Sequence, residues 1–363
     1  NKGEGAAVMK IKLAILEKDT VYLQRISAAF HNKYADKLEV YSFTEQETAL
    51  ETVEKAKINV LLAGEEYSVE PENLPERCAF AWFVDTPDVE HINQSAAICK
   101  YQKIDIIYKQ VVSLYSEIAG DIVTTAGGEE GETSVICVLS PAGGVGASTV
   151  AAACAISSCR QGKRTLYLNL EKYGTVSSFF QGDGLGGLGD VLYAIKSQKS
   201  NLALKLEGLV RQDKSGVYFL PECNIVLDRM EMKTEELDVL LRQIKLSEAY
   251  DNIVLDADFS FGPFEMEVMK QAGRILLVSD GSRNANAKVR RVCEAMRILE
   301  QQGKCFVLNK AMLIYNRFHS QTGEMMDDLQ LPVLGGVQNF KGAGEAQVAA
   351  EIAKMGVIEK IIQ

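Results

Sequence analysis

Near-continuous apolar runs that alternate with stretches of helical periodicity constrain this chain more than any other feature. "LEVYSF", "INVLLAG" and "AFAWFVD" in its first third, then "SVICVLS", "RTLYLNL", "NIVLDA" and "RILLVSD", lack the regular polar interruptions of a strand with one wet face. Such runs belong to parallel strands covered by helices on both sides. Sustained strand–helix alternation of this kind is the pattern of doubly wound α/β domains.

The alternation comes in two series. The first opens with "KIKLAILEKD", and the next stretch places Val21, Leu23, Ile26, Ala29 and Phe30 at helical spacing. "KIDIIYK" reads as its fifth strand and "QVVSLYSEIA" as its last helix. Gly120 to Ser134, "GDIVTTAGGEEGETS", is rich in Gly, Glu and Thr and reads as a linker. The second series adds "GVYFLP", "KCFVLNK" and "PVLGGV" as strands. Two α/β domains are expected, over 9–120 and 134–363, joined by 121–133. With 363 residues, 47% of them hydrophobic, the chain can bury a core in each.

Charge and composition narrow the classes of function. The 39 Lys and Arg against 49 Asp and Glu leave a net charge of -10, which argues against broad contact with nucleic acid or an anionic membrane. The most basic stretch, with Arg283, Lys288, Arg290, Arg291 and Arg297, reads as a solvated helix face. The eight cysteines have no Cys-x-x-Cys spacing and read as reduced thiols of a cytosolic protein. His31, His91 and His319 are scattered, so a metal site built on His or Cys is not expected. No apolar run reaches the length of a membrane span, and the opening residues do not make a signal peptide.

"SPAGGVGASTV", Ser140 to Val150, carries the chemistry. A strand, a glycine-rich turn and a helix present successive backbone N–H groups at a helix N-terminus, which suits an anion. Gly143, Gly144 and Gly146 allow close approach and positive φ. Ser148 offers a hydroxyl where phosphate-binding loops hold magnesium. Ala147, however, stands where such a loop has its lysine, and Pro141 where it has its first glycine.

Residues Met9 to Gly120 resemble a response-regulator receiver, a flavodoxin-like fold. The resemblance implies an acidic cluster after the first strand, matched by Glu17 and Asp19. It implies a Ser or Thr after the fourth strand, matched by Thr86, and a lysine closing the fifth, matched by Lys109 with Gln110 beside it. The phosphate-accepting aspartate is replaced by Ala63, and the nearby Glu65 and Glu66 are poor substitutes. Glu17, Asp19 and Lys109 are then expected to be solvated loop ends, and this half an interaction module.

Residues Ser134 to Gln363 resemble the deviant Walker A ATPases that position septa, plasmids, chromosomes and pili. The resemblance implies a P-loop NTPase domain with a mainly parallel sheet, binding ATP with Mg²⁺ through Ala142, Gly143, Gly144, Val145, Gly146, Ala147, Ser148 and Thr149. Ala142 and Ala147 replace both lysines of the family loop. Asn169 and Glu171 stand for its D-x-D pair, leaving Glu171 as the candidate to orient water. Ser148 and Asp256 are the implied metal residues. Asn309 with Lys310, and Gln338 with Asn339, are the implied base-side residues.

A degenerate receiver ahead of such a domain is the arrangement of the TadZ/CpaE pilus-assembly family. That resemblance implies a cytoplasmic protein at the cell pole, partnered by the tight-adherence (Flp) pilus machinery and by a second copy of itself. Ala142 cannot reach across to a partner's phosphates, so a homodimer needs other contacts. Slow or absent hydrolysis is expected from the lost charges. An active positioning ATPase and a nucleotide-free scaffold are the alternatives. The apolar C-terminal helix carries too few basic residues to anchor in a membrane and is expected to pack on its own domain.

Overall fold

The computed structural model describes residues 10–86, 89, 91–93, 95–118, 133–197, 201–304, 307–329, 331–340 and 342–362. The linker expected at 121–133 thus lies, except for Thr133, outside the described residues, as does Cys305. Two compact units form, and Asp183–Gly186 and Tyr193–Leu209 belong to the first of them.

In chain order the first unit contains β1 (Ile11–Leu16), α1 (Thr20–Tyr34), β2 (Leu38–Phe43), α2 (Gln46–Lys55), β3 (Val60–Gly64), β4 (Ala79–Val84), β5 (His91–Ile92), β6 (Ser95–Cys99) and α3 (Ile104–Ile118). The sheet order is β2-β1-β3-β4-β6-β5, parallel except for the edge strand β5. Leaving out β5, this is the 2-1-3-4-5 order of the flavodoxin-like fold. Leu13, Ile15, Leu62, Ala81 and Phe83 bury against α1 and α3 on one face. Ala14, Leu16, Leu61 and Trp82 bury on the other, with Ala49 and Val53 of α2.

The fifth parallel strand is not the one read from the sequence. "KIDIIYK" lies in the loop and first turns of α3, because Ile107, Tyr108, Val111, Val112 and Tyr115 are buried along one helix face. Asp105 in its first turn accepts hydrogen bonds from Lys33 at 2.8 Å and from the Tyr34 hydroxyl. The strand is "SAAIC", paired with β4 from Ala81↔Ala96 to Val84↔Cys99. Lys100, not Lys109, therefore closes it. Lys109 sits within α3.

This one shift of register changes the reading of the acidic cluster. The Lys100 ammonium lies 2.7 Å from Glu17 Oε2 and 3.1 Å from Asp85 Oδ1. Glu17 and Lys100 are both buried, so Glu17 is not a solvated loop end. Burial pulls the Lys100 pKa down, but hydrogen bonds to Glu17 and Asp85 outweigh it and hold the group above its usual value. Asp19 caps α1, its Oδ1 accepting from the Val21 and Tyr22 amides at 2.9 and 3.0 Å. Ala63, fully buried, pairs with Leu16 and Trp82.

The chain continues through β7 (Ser134–Leu139), α4 (Ala147–Arg160), β8 (Thr165–Asn169), α5 (Leu188–Ser197) and α6 (Leu202–Leu209). The last of these packs on α3 within the first unit, where Leu204 joins the core and the Tyr108 hydroxyl donates to Glu207 at 2.9 Å. Next come β9 (Arg211–Gln212), β10 (Tyr218–Phe219), α7 (Val226–Met230), α8 (Thr234–Leu246), β11 (Asn252–Asp256), α9 (Pro263–Gln271), β12 (Arg274–Ser279) and α10 (Arg283–Gln301). β13 (Ala311–Phe318), β14 (Val333–Gln338), α11 (Glu345–Ile352) and α12 (Gly356–Ile362) complete it.

The sheet of the second unit runs β14-β13-β12-β7-β11-β8-β10-β9, parallel apart from β9. Its central strand, β7, leads into the glycine-rich loop. Helix α4 approaches the sheet closely because Ala151, Ala152, Ala153, Cys154 and Ala155 are small and fully buried. The C-terminal helices α11 and α12 cover α4 through Ala349, Ile352, Ile358 and Ile361, so the tail packs on its own domain.

A second register correction falls here. Of "KCFVLNK", residues 305 and 306 lie outside the described residues, and Leu308–Lys310 form a 3-10 turn, not a strand. The strand is the following run, "AMLIYNRF", paired with β12 from Ile275↔Ala311 to Ser279↔Tyr315. Asn309 and Lys310 thus precede β13, at the amino edge of the sheet. Lys310 Nζ donates there to the carbonyls of Lys270 and Ala272 at 3.2 and 2.9 Å.

Candidate functional site

Ligands of open α/β sheets gather outside the carboxyl ends of the strands, and that edge of the second unit collects the polar residues. β7 ends at Leu139, and the loop is fixed by the hydroxyl of Ser140. That hydroxyl donates to the Val278 carbonyl at 2.6 Å and accepts from the Ala142 amide at 3.0 Å. Gly144 and Gly146 adopt φ of 80° and 82°, which a residue with Cβ enters only under strain. Gly146 is the N-cap of α4. Gly143 and Gly144 are exposed, and a Cβ on either meets no atom within 4 Å, which leaves space over the loop. Val145 and Thr149 turn inward and are buried; Ala147 and Ser148 are half-buried.

Asp256 ends β11, in register with Val138 on one side and Asn169 on the other. Its side chain is fully buried. Oδ2 accepts from the Tyr167 hydroxyl at 2.6 Å and from Asn169 Nδ2 at 3.0 Å. Oδ1 is buried and has no hydrogen-bond partner. Burial and the Glu171 carboxylate push the Asp256 pKa up to about 8, against the hydrogen bond from Tyr167. The Ser148 hydroxyl donates to Glu171 Oε2 at 3.2 Å, and Asn169 Nδ2 lies 3.3 Å from that oxygen. Ser148, Asn169, Glu171 and Asp256 are therefore one connected group. Among the described residues no cluster of three or more His, Cys, Asp or Glu side chains is arranged for a metal.

β13 supplies two residues that the sequence reading missed. Asn316 is buried, and its Nδ2 donates to the carbonyls of Val145 and Gly146 at 2.9 and 3.3 Å. Arg317 Nη1 donates to the Gly144 carbonyl at 2.9 Å. Asn309 lies in the turn before β13, whereas Asn316 and Arg317 lie near that strand's carboxyl end. Neither Asn309 nor Lys310 joins the loop. Gln338 closes β14 and Asn339 follows it, both exposed.

Cations near the site are mostly committed. Lys172 Nζ lies 3.7 Å from the buried Glu265. Arg229 is buried, donates to the Leu170 carbonyl through Nε at 2.9 Å, and stacks 4.1 Å over the Phe264 ring. A cavity of about 190 Å³ adjoins Asn169, Glu171, Gly174, Cys223 and Arg229.

The family described as "TadZ-like, receiver domain" matches residues 9–116. Among solved structures, a ParA family ATPase from Chlorobium tepidum TLS is similar, with a TM-score of 0.50 and 16% identity. The match covers 64% of this chain and 97% of that one. The septum site-determining protein MinD complexed with Mg-ADP from Pyrococcus horikoshii OT3 matches at TM-score 0.47 and 18% identity, over 64% and 99% of the two chains. The MinC:MinD cell division protein complex of Aquifex aeolicus matches at 0.46 and 18%, over 63% and 93%. No curated protein matches the chain in sequence. Among the described residues no helix is long and apolar enough to cross a membrane.

Proposed function

We propose that the chain, whose first unit matches a TadZ-like receiver domain and whose second is similar in fold to a ParA family ATPase, is a protein of the TadZ/CpaE kind that binds ATP with Mg²⁺ and hydrolyses it slowly or not at all. Its role in this reading is that of a cytoplasmic, pole-located assembly factor for the tight-adherence pilus, acting as a homodimer. The observation that carries the reading is the orphaned Oδ1 of Asp256, a fully buried carboxylate oxygen without a donor. A buried acceptor left unsatisfied is costly, and a cation held jointly with the Ser148 hydroxyl satisfies it. The open space over Gly143 and Gly144 suits phosphate oxygens held by backbone N–H groups.

The residues present bind better than they catalyse. Bound Mg²⁺ supplies positive charge at the phosphates, while Ala142 and Ala147 supply none. Preorganised positive charge is the main catalytic contribution in phosphoryl transfer. Asn169 donates to Asp256 where the family has a carboxylate, so it holds the metal residue in place and takes no proton from water. Glu171, the remaining candidate to orient water, has one oxygen, Oε2, engaged by Ser148 and Asn169. Losing one transition-state contact of about 3 kcal/mol slows a step more than 100-fold.

Thermal unfolding with and without 1 mM ATP and Mg²⁺ tests the reading. Ligand at about 100 times its Kd adds roughly 2.7 kcal/mol of stability, so Tm rises by several degrees, and Asp256→Ala abolishes the rise. An unchanged Tm in the parent chain favours a nucleotide-free scaffold.

A further inference from the structure

The loop has lost both lysines of its resembling family, yet one cation touches its backbone. We infer that Arg317 supplies the positive charge that the loop sequence lacks and contacts the phosphates of a nucleotide held there. The inference rests on the nucleotide-binding reading above.

Three observations place Arg317 in that role. Its Nη1 donates to the Gly144 carbonyl at 2.9 Å, so the guanidinium sits at the glycine whose outer side is open. A Cβ built on Gly146 falls 3.4 Å from Arg317 Nε and 2.5 Å from Asn316 Nδ2, so the side chain spans the loop from its middle to the start of α4. Arg317 is exposed, and no carboxylate pairs with it among the described residues, unlike Lys172, which faces Glu265. One Nη donor is used on Gly144, and a guanidinium carries five N–H donors in a fixed fork suited to phosphate oxygens.

The backbone is shaped for this contact. Arg317 has φ of 54°, in the left-handed region that an L side chain with Cβ rarely adopts. The cause is an irregularity in the β13–β14 pairing: between Tyr315↔Gly336 and Phe318↔Gln338 the first strand has one residue more than the second. Such bulges re-aim side chains near functional sites. Here the extra residue falls on the Asn316–Arg317 pair, and both side chains reach the loop. A strained residue that holds no core contact needs another reason to persist, and the phosphate contact provides one.

Calorimetric titration of the full chain with ATP and Mg²⁺ tests the inference on two variants. Arg317→Gln keeps the same backbone demand but loses the charge and the reach to Gly144; affinity falls about 10- to 100-fold. Arg317→Lys keeps the charge and stays within about five-fold of the parent. Adding Ala147→Lys to Arg317→Gln restores affinity if charge is the defect. If the parent binds ATP and Arg317→Gln binds equally well, the inference fails while the nucleotide reading stands. If Arg317→Lys falls as far as Arg317→Gln, or Ala147→Lys restores nothing, Arg317 merely braces the loop and the inference again fails. A parent chain that takes no ATP overturns both.

Discussion

Replacing Lys100 by methionine tests the corrected register of the receiver unit and the role of its acidic cluster. In the parent chain the ammonium lies 2.7 Å from Glu17 Oε2, with side-chain exposures of 8% and 4%, whereas the second partner, Asp85, is 61% exposed. Removing the cation leaves Glu17 as a buried, uncompensated charge, a loss of about 3–5 kcal/mol. The exposed contact with Asp85 is worth under about 1 kcal/mol, so Asp85→Asn is nearly neutral. The double variant Glu17→Gln, Lys100→Met removes both charges and recovers most of the loss. Trp82 is the single tryptophan of the chain and is buried in β4, so its fluorescence during urea unfolding reports this unit alone. At about 1.5 kcal/mol per M the midpoint of Lys100→Met falls by roughly 2–3 M. A shift below about 0.5 M, or a double variant no better than the single, refutes the buried-pair argument.

Acetyl phosphate leaves residues 9–120 unmodified by mass spectrometry, since Ala63 has no carboxylate; a hydroxylamine-labile phosphoryl group there contradicts this. Gly146→Ala strains a φ of 82° and drives a methyl to 2.5 Å from Asn316 Nδ2, so it lowers stability by more than about 1 kcal/mol and weakens ATP binding; a neutral melting curve counts against the loop geometry. In EDTA, Asp256 binds its proton more tightly in the folded chain, with a pKa of about 8 against 3.8 for an ordinary aspartate. Folding stability is therefore lost as pH rises from about 4 through 8. Asp256→Asn removes that part of the dependence, so its Tm gains on the parent as pH rises; a pH-independent difference rejects the raised pKa.

Much of the fold was legible because burial on both faces writes itself into a strand as an unbroken apolar run. β1, β3, β4, β7, β8, β11 and β12 are mainly such runs, whereas the edge strand β2 exposes Glu39 and Ser42; the loop between β7 and α4 declared itself through its glycines. Both misread strands sit where two apolar runs stand side by side. "SAAIC" is short and weakly apolar, while "KIDIIYK" is rich in isoleucine. The second is helical because Ile107, Tyr108, Val111 and Val112 bury on one face, a period-3.6 signal that emerges only when the run is read together with "QVVSLY". "KCFVLNK" and "AMLIYNRF" compete in the same way. Each carries an asparagine followed by a basic residue near its end, and only the pairing with β12 decides between them. The length of the second run, eight residues from Ala311 to Phe318, was the available signal. Arg317 was beyond reach, because its place depends on an extra residue in β13 that no local pattern announces.

If the loop holds ATP without consuming it, the nucleotide bound to the purified chain stays ATP. The purified chain is incubated with ATP and Mg²⁺ for an hour and run over a gel-filtration column equilibrated in the same ATP and Mg²⁺; the protein peak is denatured and its nucleotide above the column background quantified by ion-exchange chromatography. The account predicts close to one nucleotide per chain, recovered mainly as ATP. Recovery of no nucleotide, or of ADP alone at the same stoichiometry, contradicts it.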